Sequence, residues 1–176
     1  SRLCEYDAMT PRERFIAALE RRRPTGRVPH FELVFFLTME ALGKVHPSHR
    51  SYHQWEQMEE RERQLHREDM ADVHISIAER YEHSAIFLHA NPNQLEETMR
   101  VADVIRERTG DRYFLMRHGD ATYGIPNGRS MEAFSYRLVD EPQELKDDAA
   151  RRVEGALANG ERLAKHGGLD GLALCS

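Results

Sequence analysis

Arg112-Tyr-Phe-Leu-Met-Arg-His-Gly-Asp-Ala-Thr-Tyr-Gly124 is the stretch whose reading decides the fold. Its first part, Arg112 to Arg117, encloses the apolar run Tyr113, Phe114, Leu115 and Met116, which reads as a short buried strand. Its second part, His118 to Gly124, is a glycine-rich polar loop. A strand that is apolar on both faces implies a parallel sheet covered by helices on each side.

Working outward, the neighbouring segments alternate in kind. On the N-terminal side, Asn91 and Pro92 open a helix with the stripe Leu95, Met99, Ala102 and Ile105, stopped by Gly110. Ser84 to His89 precedes it as another strand, around Ala85, Ile86, Phe87 and Leu88. Earlier still, the charged region from Thr38 to Ile77 has helical character, most clearly from Tyr52 to Met70 with Trp55, Met58 and Leu65 as anchors. Val28 to Leu37, with Phe31, Val34, Phe35 and Phe36, reads as the first strand. The opening helix is marked by Thr10 as N-cap, Pro11 in the first turn and Glu13 closing a capping box, with Phe15, Ile16 and Leu19 as its stripe.

On the C-terminal side, Asp140 and Pro142 start a long helix carrying Leu145, Ala149, Val153, Ala156, Leu157 and Leu163, closed by Gly167 and Gly168. Leu169 to Cys175 is the last strand candidate. The expected fold is therefore α/β, the first four strands of a (β/α)8 TIM barrel, because four strands with an uncovered last one leave an open edge that a barrel removes. Residues 1–176 form one domain, with 1–26 an N-terminal extension and helix before the first strand; Met9 has the place of a natural start.

Composition narrows the function. The chain is 40% hydrophobic and 31% charged with a formal net charge of −5, so it lacks the basic excess that a nucleic-acid surface requires. No apolar run is long enough to span a bilayer, and no membrane role is expected. Cys4 and Cys175 stand far apart and form no C-x-x-C pair, so a reducing compartment, the cytoplasm, is the expected address. There is no nucleophile elbow, phosphate loop or dinucleotide fingerprint.

Several segments, taken in order, resemble the uroporphyrinogen decarboxylase-like family. Met9-Thr-Pro-Arg-Glu-Arg-Phe-Ile-Ala-Ala-Leu19 followed by Arg27-Val-Pro29 is similar to the family's opening helix and first-strand entry. Asp140-Glu-Pro-Gln-Glu-Leu145 and Gly168-Leu-Asp-Gly-Leu172 resemble its passage into the fourth strand. The likeness spans nearly the whole chain but only the first half of a typical family member. It implies either of two activities. One is decarboxylation of a tetrapyrrole without a cofactor. The other is methyl transfer or O-demethylation of a small methylated compound, with a corrinoid protein as acceptor and zinc as the usual metal. The decarboxylase carries an R-Q-A-G-R motif after its first strand, whereas His30-Phe-Glu-Leu-Val-Phe-Phe-Leu37 holds no arginine. A polyanionic tetrapyrrole would lack its cationic partners there, which favours the methyl-transferring branch.

In such barrels the active site lies at the C-terminal ends of the strands. Glu32, His118 and Asp120 are the catalytic candidates on that rule, and His30, His89 and Tyr123 the substrate-binding ones; no metal ligand set is assigned. His30 and Glu32 either pair on the surface or place Glu32 in the mouth as a general base or ligand. The glycines at 119 and 124 serve a turn or a close approach to ligand equally well. Asn91 reads as a helix cap, and Cys175 as core. His49 and His53 have the spacing of a helical metal pair or of two solvent-facing residues, and His46, His66 and His74 fall in the same polar region. Two non-enzymatic readings stand beside these: a half-barrel that self-associates or pairs with a second polypeptide such as a C-terminal half, binding a corrinoid or tetrapyrrole without transforming it, and a truncated product without activity.

Overall fold

In a computed structural model, which describes residues 9–51, 53–124 and 126–174, α1 (Pro11–Leu19) begins where the capping signal predicts. Thr10 Oγ1 accepts the Glu13 amide at 3.2 Å, and the Glu13 carboxylate accepts the Thr10 amide at 2.7 Å. The chain continues through α2 (Thr38–Leu42), α3 (Glu60–Arg80), β1 (Ala85–Phe87), α4 (Leu95–Thr109), β2 (Phe114–His118), α5 (Arg129–Asp140), α6 (Pro142–His166) and β3 (Gly171–Ala173).

The three strands form one parallel sheet in the order β1-β2-β3. Ala85 lies opposite Phe114, and His118 opposite Ala173. Alternation along the strands splits the core in two. Ile86, Leu88 and Leu115 face α3 and α4, joining Met70, Val101 and Ile105. Ala85, Phe87, Phe114 and Met116 face the opposite way, onto Phe15 and Ile16 of α1 and onto Phe31. The double covering expected from the apolar runs is present.

The barrel expectation is overturned. The described residues form a helix-rich chain with only three short parallel strands, and not the four-stranded opening of a (β/α)8 barrel. The absent strand is Val28 to Leu37. Pro29 has no N–H to offer a ladder, and residues 33–37 bend and turn into α2 instead of running on. One rung survives, from the Ser84 amide to the His30 carbonyl at 2.8 Å. The aromatic residues that read as a strand act as a cover: Phe31 stacks on Phe87 with ring centroids 6.3 Å apart and meets Phe15 edge-on.

Other boundaries shift for local reasons. The expected helix from Tyr52 to Met70 becomes α3, which starts later because Glu59 and Glu62 form a capping box. Trp55 is buried in a single 3-10 turn before it, while Leu65 is exposed. The buried face of α3 includes Arg67, Met70, Val73, His74 and Ile77. Asn91 is not the cap of α4. Its side-chain amide donates to the carbonyls of Pro47 and Arg50, and Gln94 occupies the cap position without a side-chain hydrogen bond. α5 was not expected, and none of its residues is buried. α6 matches its expected span, but Val153 and Leu157 are exposed. Gly167 ends it in the left-handed region, at φ 90°.

Asp170, in the Gly168-Leu-Asp-Gly-Leu172 stretch, gathers the fold. Its carboxylate accepts from Arg12 at 2.7 Å, from Arg106, and from the Leu115 amide at 2.8 Å. α1, α4, β2 and the entry to β3 are thereby tied at one point. Cys4, Tyr52, Cys175 and Ser176 lie outside the described residues. Among those described, no helix is long and apolar enough to cross a membrane.

Candidate functional site

Parallel strands bring their C-terminal ends to one edge, and loops leave from there with their polar groups unhidden. The register pairs Phe87 with Met116, so two residues further on His89 comes up beside His118. Between them and the start of α4 lies a cavity of about 250 Å³, lined by His89, Asn91, Asn93, Arg117 and His118. A second cavity of about 430 Å³ shares His89, Asn93, Arg117 and His118 and continues toward α6. Leu95, Ala156, Leu163 and Leu172 also line it, with Asn159 of α6 among them.

Gly119 makes this edge possible. A Cβ at that position would sit 2.7 Å from Leu172 Cβ, far inside contact distance. The glycine lets the chain leave β2 pressed against β3, with its amide donating to the Ala173 carbonyl at 3.1 Å. Asp120, which also lines the larger cavity, accepts the Thr122 amide at 2.9 Å and the Thr122 hydroxyl.

Behind His89 lies a layer of imidazoles. The His46 ring is 5.3 Å from His89, 5.4 Å from His74 and 6.0 Å from His49, centroid to centroid. His74 donates from Nδ1 to the Met70 carbonyl at 2.7 Å and accepts the His89 amide at Nε2, 3.2 Å away. Both ring nitrogens are used, which fixes one neutral tautomer. Burial pushes His74 down to about 4, against the Met70 hydrogen bond, which would raise it. Burial, helped by His74, His89, His49 and Arg50, pushes His46 down to about 3. His89 is also held below its ordinary value by burial, while its Nε2 donates to the Leu33 carbonyl at 2.7 Å.

The structure brings together only some of the residues singled out by sequence. His89, His118 and Asp120 line one cavity. Glu32 opens instead on a narrow crevice with His46, His74 and His83. His30 pairs with the Tyr81 carbonyl at 3.0 Å and meets His83 edge-on. Tyr123 is turned away onto α5 and α6, against Phe134 and under Arg152, whose guanidinium sits 4.4 Å from its ring centroid. Its hydrogen bond to Asp148 raises the phenol above its ordinary value. Sequence reading missed Arg117 and Asn93. The available signal was a cation closing an otherwise apolar strand, one residue before the predicted loop.

Zinc, implied by the methyl-transferring resemblance, does not fit these residues. Among the described residues no three His, Cys, Asp or Glu side chains converge as a metal site, and His74 has no free ring nitrogen to give. No family model, curated protein or solved structure matches the chain.

Proposed function

We propose that the protein carrying this chain is a uroporphyrinogen decarboxylase-like enzyme of the methyl-transferring branch, with the cleft at the ends of β1 and β2 as its substrate site. The carrying observation is that His89 and His118, from adjacent parallel strands, line the same cavity of about 430 Å³. Removing a methyl group from an ether or amine leaves the heteroatom with the bonding electron pair, and that atom must take up a proton. His118, exposed at the cavity rim, is the proton donor in this reading, and His89 is its neighbour on the inner wall. A corrinoid protein would supply the methyl acceptor. No step runs through zinc.

The arginine-free stretch from His30 to Leu37 supports this branch over tetrapyrrole decarboxylation. The two widely separated cysteines fit a reducing cytoplasm, where a reduced corrinoid would persist. The test is to incubate the protein with reduced corrinoid and a panel of methyl ethers and methylamines, following methylation of the corrinoid by visible absorbance. Turnover of one class is expected, with His118→Ala slowing it about 100-fold while leaving circular dichroism unchanged. No transfer with any member of the panel overturns the reading.

A further inference from the structure

Arg117, the residue before the end of β2, lines both cavities. Its hydrogen-bond partners are all neutral: Thr98 Oγ1 at 3.1 Å, Asn93 Oδ1 at 3.4 Å and the His118 carbonyl at 3.1 Å. Other arginines on the same framework meet carboxylates, Arg67 with Glu97 and Arg12 and Arg106 with Asp170. Arg117 meets none among the described residues. The acidic groups nearby are engaged elsewhere: Asp120 with Thr122, Glu96 with Arg162 and Glu97 with Arg67. A guanidinium taken partly out of water without a counter-charge is unfavourable, and a ligand anion removes that cost.

We infer that Arg117 anchors a carboxylate group of the ligand in this cleft, and that the ligand is a small organic acid with an apolar body. The inference rests on the reading of this cleft as the ligand site. The guanidinium has five N–H groups. The three bonds above leave one on each terminal nitrogen, the number that a carboxylate held through both oxygens takes. The same cavity is lined by the side chains of Leu95, Leu163 and Leu172, which offer apolar surface for the rest of the molecule, together with Asp120 and Asn159.

The test uses benzoate, its neutral isostere benzamide, and inorganic phosphate as probes at constant ionic strength. Calorimetry is run on the protein and on Arg117→Gln, with the Arg117 Nε–H signal followed by NMR in the unaltered protein. Benzoate is expected to bind and shift that signal, and benzamide to do neither. Phosphate is expected to bind more weakly, because it makes no use of the apolar surface. Arg117→Gln should weaken benzoate about tenfold or more. Equal binding of benzoate and benzamide, or an unmoved Arg117 signal, overturns the anchor whether or not the variant folds. Phosphate binding as tightly as benzoate overturns the organic-acid assignment. Methyl transfer without any benzoate effect would remove this inference and leave the proposed reaction standing. Benzoate held by Arg117 without turnover would support the anchor and count against the reaction.

Discussion

Arg12 and Asp170 meet at 2.7 Å although 158 positions of sequence separate them. The same carboxylate holds Arg106 and the Leu115 amide, so one side chain fixes where α1, α4 and the sheet sit relative to each other. Asp170→Asn keeps the shape and removes the charge, leaving two part-buried guanidinium groups short of a counter-ion. Urea unfolding should show a loss of about 3 kcal/mol. Asp170 is held below its ordinary value of 3.8: burial would raise it, but the bonds from Arg12, the Leu115 amide and Arg106 prevail. This stability is present above that value and disappears as pH falls beneath it. An asparagine variant as stable as the parent would contradict the arrangement.

A second ion pair locks α3 to α4. Arg67 is only 1% exposed and grips Glu97 with Nε at 2.7 Å and Nη2 at 2.9 Å. Glu97→Ala removes both of these bonds and leaves Glu60, 2.6 Å from Arg67 Nη1, as the remaining counter-charge; the loss should be about 3 kcal/mol. The double substitution Arg67→Met with Glu97→Leu should recover most of that, since it buries no unpaired charge. Equal instability of the single and double variants in a denaturant series would argue against this account.

The imidazole layer makes an acid-sensitive core. His74 is neutral when folded, with its value pushed down to about 4 from 6.5. Between those values the unfolded chain takes up a proton that the folded chain refuses, so stability is full above pH 6.5 and falls as pH drops toward 4. The shift corresponds to about 3 kcal/mol from His74 alone. Denaturation at pH 7.5, 6 and 5 should trace that decline, and His74→Gln should make it shallower without removing it, because His46 and His89 are also held below their ordinary values by burial. An unchanged slope in the variant would remove His74 from the explanation.

Gly119→Ala tests the close approach of β2 to β3. The added Cβ meets Leu172 at 2.7 Å, so one strand must shift, at a cost of about 1–3 kcal/mol. Leu172→Gly, which removes the Cβ that is met, should relieve the strain, making the pair of substitutions less damaging together than their separate effects sum to. Simple additivity in thermal melts would mean that the two residues do not press on each other.

Much of the scaffold was legible because its signals are local. The box at Thr10 and Glu13, the apolar runs at Ala85–Leu88 and Tyr113–Met116, and the glycine after α6 each act within a few residues. Val28 to Leu37 misled because aromatic content reports burial, not pairing: Phe31 is partly buried against the sheet without a ladder around it. Trp55 misled similarly, being buried outside the helix it was expected to anchor. That His89, His118 and Asp120 line one cavity follows from one rule, that groups at parallel strand ends share an edge. Glu32 and Tyr123 departed from it because the chain around each turns toward a helix. Arg117 escaped notice because a strand-ending arginine looks like a solvated residue until its neighbours are known to be neutral.

The clasp at Asp170 also bears on synthesis. At roughly 5–20 residues per second, a ribosome that has just made Arg12 needs on the order of ten seconds or more to deliver its partner. Throughout that interval Phe15 and Ile16 have only part of the surface they finally occupy. The placement of α1 on the sheet is therefore completed only when the last strand and its preceding carboxylate have been made.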